Sequence, residues 1–391
     1  MKKPLKIYIC AGEVSGDMHA AALMAALRSS SQSPVEFRGF GGDAMAAEGA
    51  ELLYHTDQTG VCGITPVLME LPFLLRMIKH IKADILAWQP DVLLTVDYPG
   101  MNLRLAKFAH HRGITTIHYI CPQVWAWHRA RIPRIAKFLD LLICIFPFEP
   151  EHFAATKLKA VFTGHPLVDR ILETRSEPQP EFPWQGQFKV ALLPGSRAGE
   201  ITRILPRMLN AAVLLEQKLA GNCSFIIPCP TEKMLELAQR VVRLHPRQPE
   251  ALTLITGQAR ALLMQADAAA IASGTATLEA CMLLCPSVLV YAAGRMTAIA
   301  ARLLVRGVRH LGLANIIAGK EIMPELLQEE FTPQKLSEHL YQFITNPALR
   351  SQTIANLQAT NALLGSGQAA ENSAHAILDF LAIKSHVNHV E

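Results

Sequence analysis

An alternation running almost the whole length of this chain does most to limit how it can fold. Short apolar runs of strand length are each followed by a longer stretch of helical character. Lys6–Ala11, Val35–Phe40, Val92–Asp97, Thr115–Ile120, Leu141–Phe146 and Val161–Gly164 form one set; Val190–Leu193, Ser224–Pro228, Leu252–Thr256, Ala268–Ala272 and Ser287–Tyr291 form a second. Strands that are apolar throughout are buried on both faces, which requires parallel pairing with helices above and below the sheet. Two such sets predict an α/β protein of two doubly wound, Rossmann-like domains, with ligands at the carboxyl ends of the strands. At 391 residues, half of them apolar, the chain is long enough for two cores. The break falls in RSEPQPEFPWQGQ, Arg175–Gln187, which is polar and holds three prolines. The break gives a first domain of 1–175 and a second that starts at 188, and from about Thr332 the chain reads as helical with no further strands.

Composition removes several classes. No unbroken apolar run reaches the roughly 18 residues of a membrane span. The N-terminal run of MKKPLKIYICAGE is short and leads into a glycine turn, so a first strand is expected rather than a signal peptide. The eight cysteines are scattered and form no CxxC pair, a pattern that fits a reducing compartment and speaks against a disulfide framework or a zinc site. No metal and no cofactor is expected. A net charge of +4 is too mild to suggest nucleic acid.

Two glycine-bearing loops in the second half carry the strongest chemical signal: ALLPGSRAGE (Ala191–Glu200) and AIASGTATLE (Ala270–Glu279). Each joins a strand-like run to a helix start, where backbone N–H groups and the helix dipole favour an anion. In the first, Gly195 permits an unusual turn, Ser196 can cap the helix and Arg197 can fork onto phosphate oxygens. An ordinary strand-to-helix turn with a surface arginine accounts for that loop equally well. In the second, Ser273, Gly274 and Thr275 open a helix, and Glu279 lies one turn on from Thr275, placed to accept from a ribose diol or to sit in solvent. Neither loop is a Walker motif, and no GxGxxG is present. Together they suggest a diphosphate, hence a nucleotide or nucleotide-sugar ligand.

The first half offers acids instead. AGEVSGDMHAA (Ala11–Ala21) places Glu13, Ser15, Gly16, Asp17 and His19 after the first strand, and Asp97 ends the strand of VDYPGMN. Asp97 is either a helix cap or a general base at a strand tip. Trp125 and Trp127 stand beside His128, Arg129, Arg131 and Arg134, as a core pair next to a solvated basic helix or as a cationic cleft wall. In GITPVLMELPFLLRMIKHIK, Val67, Leu71, Leu74, Leu75 and Ile78 share a helical face widened by Leu68, Phe73 and Met77; Pro72 should kink or end a turn, and Arg76, Lys79, His80 and Lys82 follow. A second apolar stretch with arginines covers Met296–His310. Such faces pack on a core or lie on an anionic membrane surface.

The motifs AGEVSGD, VDYPGMN, HYICPQVWAW, FPFE, FTGHPLVD, LLPGSRAGEI, ASGTATLE and LANIIAGKEIMPELLQEE, in that order over residues 6–380, resemble the lipid-A-disaccharide synthases, which are GT-B glycosyltransferases. Cys121 and Gln123 stand where that family usually has serines. The resemblance implies two domains facing a cleft, with the C-terminal helices crossing back to the first. It implies transfer of a sugar from UDP-2,3-diacylglucosamine to the 6-hydroxyl of 2,3-diacylglucosamine 1-phosphate, with inversion and without a metal. It carries over Asp97 as general base and Gly195, Ser196, Arg197, Ser273, Gly274, Thr275, Glu279 and Asn315 as donor contacts. Glu13, Ser15, Gly16 and Asp17 become acceptor-side residues. Val67, Leu68, Leu71, Phe73, Leu74, Leu75, Arg76 and Lys79 become contacts to the inner membrane from a cytoplasmic protein, and a homodimer is implied. The alternatives are another UDP-sugar enzyme of this fold, such as a 2-epimerase or a cell-wall N-acetylglucosaminyl transferase, or a non-catalytic nucleotide-binding membrane adaptor.

Overall fold

The structure, a computed structural model, describes residues 3–58, 64–125, 129–292 and 310–388. The described residues divide into two compact units, Met1–Pro166 with Gly365–Glu391, and Leu167–Leu364.

The first unit holds seven strands: β1 (Leu5–Ala11), β2 (Val35–Gly41), β3 (Glu51–His55), β4 (Val92–Val96), β5 (Thr115–Tyr119), β6 (Leu141–Cys144) and β7 (Lys159–Phe162), in the spatial order β3-β2-β1-β4-β5-β6-β7. Every pairing is parallel. Side chains alternate between two buried faces, as an all-apolar strand requires. From β1, Ile7, Ile9 and Ala11 enter one core with helix Val14–Ser30 and with Ala374 and Ile377 of the last helix, Ala369–Asn388. Tyr8 and Cys10 enter the other with Met77, Ile81 and Ile85 of helix Ile64–Trp88 and with helix Pro99–His110.

The second unit holds β8 (Phe188–Leu193), β9 (Cys223–Cys229), β10 (Leu252–Thr256), β11 (Ala268–Ala272), β12 (Ser287–Tyr291) and β13 (Glu325–Leu327), in the order β10-β9-β8-β11-β12-β13, again all parallel. Val190, Leu192, Phe225, Ile227 and Ala270 pack under helices Ala198–Lys218 and Pro333–Thr345. In each sheet the strand order reverses at one point, between β1 and β4 and between β8 and β11. The crevice of a doubly wound sheet opens at such points.

Three features differ from the sequence expectation. Strands β3 and β13 were not foreseen: β3 is only partly buried and β13 has three residues, and an edge strand with one neighbour needs no continuous apolar run. Pro72 does not end its helix, which runs through it from Ile64 to Trp88. The unit boundaries also fall elsewhere. Helix Pro166–Ser176 sits almost wholly in the second unit, where Arg175 Nη2 donates to Met282 O at 2.8 Å. Helix Pro347–Ala362 belongs there too, with Asn361 Nδ2 donating to Cys281 O and Met282 O. The polar, proline-rich stretch marks an exposed connection, whereas contacts set where a unit ends.

Candidate functional site

At the reversal point of the second sheet, the carboxyl ends of β8 and β11 open a cavity of about 910 Å³. That volume suits a small organic ligand. Gly195, Ser196, Arg197, Ser273, Gly274, Thr275 and Glu279, predicted from dispersed sequence, all line it. Gly195 has φ +112, and a Cβ there would stand 2.3 Å from Glu200 Oε2, so only glycine fits the turn. Gly274 is the residue before helix Thr275–Met282, whose first N–H groups face this end of the sheet.

Ser196 does not cap the helix as expected. Arg197 is the N-cap residue, and Glu200 Oε2 reaches back to accept from Ser196 N (3.0 Å) and Arg197 N (3.3 Å). The anion cradle is thus occupied by a carboxylate of its own helix. The Arg197 side chain is 84% exposed, and its 3.7 Å ion pair with Glu200 Oε1 is worth little. Glu279 is not a free carboxylate: Arg260 Nε donates to its Oε1 at 2.8 Å, and both line the cavity. Arg260 and Glu200 were not singled out in the sequence. Glu200 had a signal, an acid in the first turn of a helix behind a polar loop; Arg260 had none.

Asn315 does not line this cavity. It is fully buried, its Nδ2 donating to Met323 O and Glu325 Oε1 and its Oδ1 accepting from Ile322 N and Met323 N. All four hydrogen-bonding positions of the amide are therefore used in folding its own loop.

The reversal point of the first sheet gathers acids. Glu13 precedes helix Val14–Ser30 at the tip of β1, and Asp97 follows β4. Asp97 and Tyr98 both lie in the left-handed region, at φ 47 and 46. Two consecutive non-glycine residues there are costly and need support. Asn102 provides it: buried, its Nδ2 reaches Asp97 O (2.8 Å), Val96 O (3.0 Å) and Cys10 O (3.2 Å), joining the tips of β4 and β1. Gly12 lies against the Tyr98 ring, where a Cβ would come within 2.3 Å of Cδ1. Asp97 is not the cap residue of helix Pro99–His110, a place taken by Tyr98. Burial raises the Asp97 carboxyl above the ordinary carboxylate range. Burial, then the charge of Asp97, raises that of Glu13. Two acids that feel one another and are both held toward the protonated form are a common mark of acid–base chemistry.

Ser15 is exposed beside Glu13, and Gly16 packs between Ala11 Cβ and Val96 O, each 3.7 Å from a Cβ at that site. Asp17 corrects the expectation. It is 4% exposed and accepts from Gly42 N (2.7 Å), Ala44 N (2.9 Å) and Met45 N (3.2 Å). Its carboxylate caps the short helix Asp43–Ala47 and does not present itself to a substrate.

Of the apolar segment, Phe73 packs on the core, edge-on to Tyr54 with centroids 6.5 Å apart, and Met77 is buried. The core-facing stripe among the described residues is Met77-Ile81-Ile85. Leu75 is 52% exposed, with Arg76 and Lys79 also exposed and Leu74 half-buried. The side chains of Val67, Leu68 and Leu71, residues Trp127 and His128, and Met296–Arg309 lie outside the described residues. Trp125 is a core residue whose Nε1 donates to Glu149. Among the described residues no helix is long and apolar enough to cross a membrane.

A family model described as lipid-A-disaccharide synthetase matches residues 7–379. The chain is 35% identical to a lipid-A-disaccharide synthase of Myxococcus xanthus over 97% of its own length and 99% of the relative's. It is 38% identical to one of Saccharophagus degradans over 97% of each. Among solved structures it resembles the UDP-GlcNAc 2-epimerase of Neisseria meningitidis bound to UDP-GlcNAc, with a TM-score of 0.61 at 14% identity over 96% of this chain and 100% of that one. MurG of Acinetobacter baumannii gives 0.57 at 13% identity, with 96% and 100% covered. At these identities the structural likeness shows a shared fold, the GT-B type.

Proposed function

Because the chain belongs to the lipid-A-disaccharide synthetase family, we propose that its two strand-tip sites divide one glycosyl transfer between them, one supplying the base and the other holding the leaving diphosphate. The enzyme is a glycosyltransferase of lipid A synthesis. The donor is UDP-2,3-diacylglucosamine and the acceptor 2,3-diacylglucosamine 1-phosphate. The acceptor's 6-hydroxyl attacks the donor's anomeric carbon, the bond to the diphosphate oxygen breaks, and UDP leaves with inversion. The 2-epimerase and cell-wall transferase readings are not favoured, since those proteins share the fold at low identity whereas the synthase family matches along the whole chain.

The observation that carries the division of labour is chemical. Asp97 is the carboxylate held by a strained, pinned turn with a raised pKa, and it takes the hydroxyl proton. Glu13 and Ser15 orient the acceptor beside it, while Gly16 keeps the helix close to the strand tips. In the second unit, Arg197 and the N–H groups of Ser196, Gly274 and Thr275 take up charge as it develops on the diphosphate. The Glu200 carboxylate gives up the Ser196 and Arg197 amides when a diphosphate enters. Glu279, steered by Arg260, accepts from the ribose. Asn315 acts only through the loop it folds. A product assay tests the reading: with acylated donor and acceptor the enzyme forms the β-1,6 disaccharide phosphate and UDP. Turnover confined to unacylated UDP-sugar sinks it.

Both substrates carry acyl chains, so the same reading places the enzyme on the inner-membrane surface through Leu74, Leu75, Arg76 and Lys79. Each cation near an anionic surface contributes about 1 kcal/mol. Reversing both charges (Arg76→Glu with Lys79→Glu) should lower sedimentation with anionic vesicles by at least tenfold. Unchanged partition removes this face from the proposal. A homodimer belongs to the same reading and is checked by light scattering of the full chain.

A further inference from the structure

Neither strand-tip site uses the thiols at the ends of β5 and β6. Cys121 follows β5 closely, Cys144 is the last residue of β6, and Glu149 precedes the short helix Pro150–Phe153. All three are buried, and their two sulfurs and a carboxylate oxygen lie within 4.8 Å of one another. Ile120, at φ 71, turns the chain sharply where β5 ends, a conformation that a β-branched residue adopts only under constraint.

The carboxylate is already oriented from behind. Glu149 Oε2 accepts from Ile145 N (3.1 Å) and Phe146 N (3.0 Å), and Oε1 accepts from Trp125 Nε1 (3.2 Å). Oε2 is filled by the two amides, whereas Oε1, with one donor, retains an acceptor position toward the thiols. Donors of this kind typically hold a ligating carboxylate in place.

We propose that Cys121, Cys144 and Glu149 bind a thiophilic divalent cation, for which Zn²⁺ is the best chemical match. Two sulfurs and one oxygen suit zinc over magnesium or calcium. In a tetrahedral zinc site the sulfurs stand roughly 3.8 Å apart, so the donors move by about 1 Å or less to close around the ion. Binding breaks two S–H bonds, forms two metal–sulfur bonds and releases two protons; nothing is oxidised or reduced. The Pro122 carbonyl oxygen, 3.3 Å from Cys121 Sγ, offers a fourth donor. The ion ties the tips of β5 and β6 together and takes no part in transfer. Scattered cysteines without CxxC spacing gave no hint of it, because the fold rather than the spacing joins them.

The full-length reduced protein, stripped with a chelator, is titrated with Zn²⁺ by calorimetry and with Cd²⁺ as a spectroscopic probe. Close to one ion per chain is expected, with the ultraviolet thiolate-to-cadmium charge-transfer band. Cys121→Ser, nearly isosteric, should weaken binding by at least about tenfold and diminish the band, and Cys144→Ser should act alike. No binding by the wild type, or a full band in Cys121→Ser, overturns the proposal. If Cys144→Ser does not fold, Cys121→Ser alone decides.

Discussion

The two reversal points, β1/β4 and β8/β11, are the same device built twice, and they hold opposite chemistry. At β1/β4 the turn is strained and braced: Asp97 and Tyr98 are left-handed, pinned by Asn102 and by the Tyr98 ring on Gly12. Its acids are biased toward the protonated form. At β8/β11 the turn is glycine-relaxed, and backbone amides with Arg197 and Arg260 face a cavity in which Glu200 and Glu279 already serve as counter-ions. Topology decides where a ligand can sit. Residue type decides whether that place removes a proton or receives negative charge.

The largest expected break in this comparison is Asp97→Asn, which should lower kcat on the order of 10³-fold with circular dichroism unchanged; near-normal turnover would remove Asp97 as the base. The pH dependence sharpens it. A base works deprotonated, and burial favours the protonated form, so the acid limb of kcat/KM should lie above the ordinary carboxylate range, about 4. The stability sign is opposite to that of a salt-bridged acid. With its folded pKa raised, Asp97 contributes stability below its unfolded pKa and loses it as pH rises through the folded one. Chemical denaturation should accordingly show Asp97→Asn gaining on the wild type from acid to neutral pH.

Arg197→Ala comes next, with kcat/KM falling on the order of 10²-fold and UDP binding weakened in calorimetry; an unchanged value would leave the diphosphate to the amides alone. Asp17→Asn separates scaffold from site within the first loop. It should cost about 2 kcal/mol of stability through the lost helix cap, seen as a lower Tm, with KM for acceptor unmoved; a raised KM at full stability would return Asp17 to the acceptor side. The smallest effect is Glu200→Gln. Removing a carboxylate from the cradle should tighten UDP about fivefold, the equivalent of about 1 kcal/mol. Weaker binding would mean that Glu200 orders the loop instead of competing with the ligand.

Much of this was legible in the sequence because burial on both faces of a strand writes itself as an unbroken apolar run. LKIYICA and FKVALL could hardly be anything else, and the glycine loops behind them follow from topology. What stayed illegible depends on partners distant in sequence. Asp17 reads like Glu13 in AGEVSGD, yet one points into the N–H groups of Gly42, Ala44 and Met45 while the other stays at the strand tip. Asn315, a donor contact by family resemblance, is a folded-in amide. Glu279 reads as free and is paired with Arg260.

Two doubly wound α/β units, the strand ends at which chemistry is possible, and the family could all be read from the order of residues. They are legible there because hydrophobic periodicity and turn residues are local properties of the chain. Which polar side chains remain available at those ends, and which thiols meet at Glu149, came from long-range packing. Most buried polar atoms find a partner, and that partner usually comes from another part of the chain.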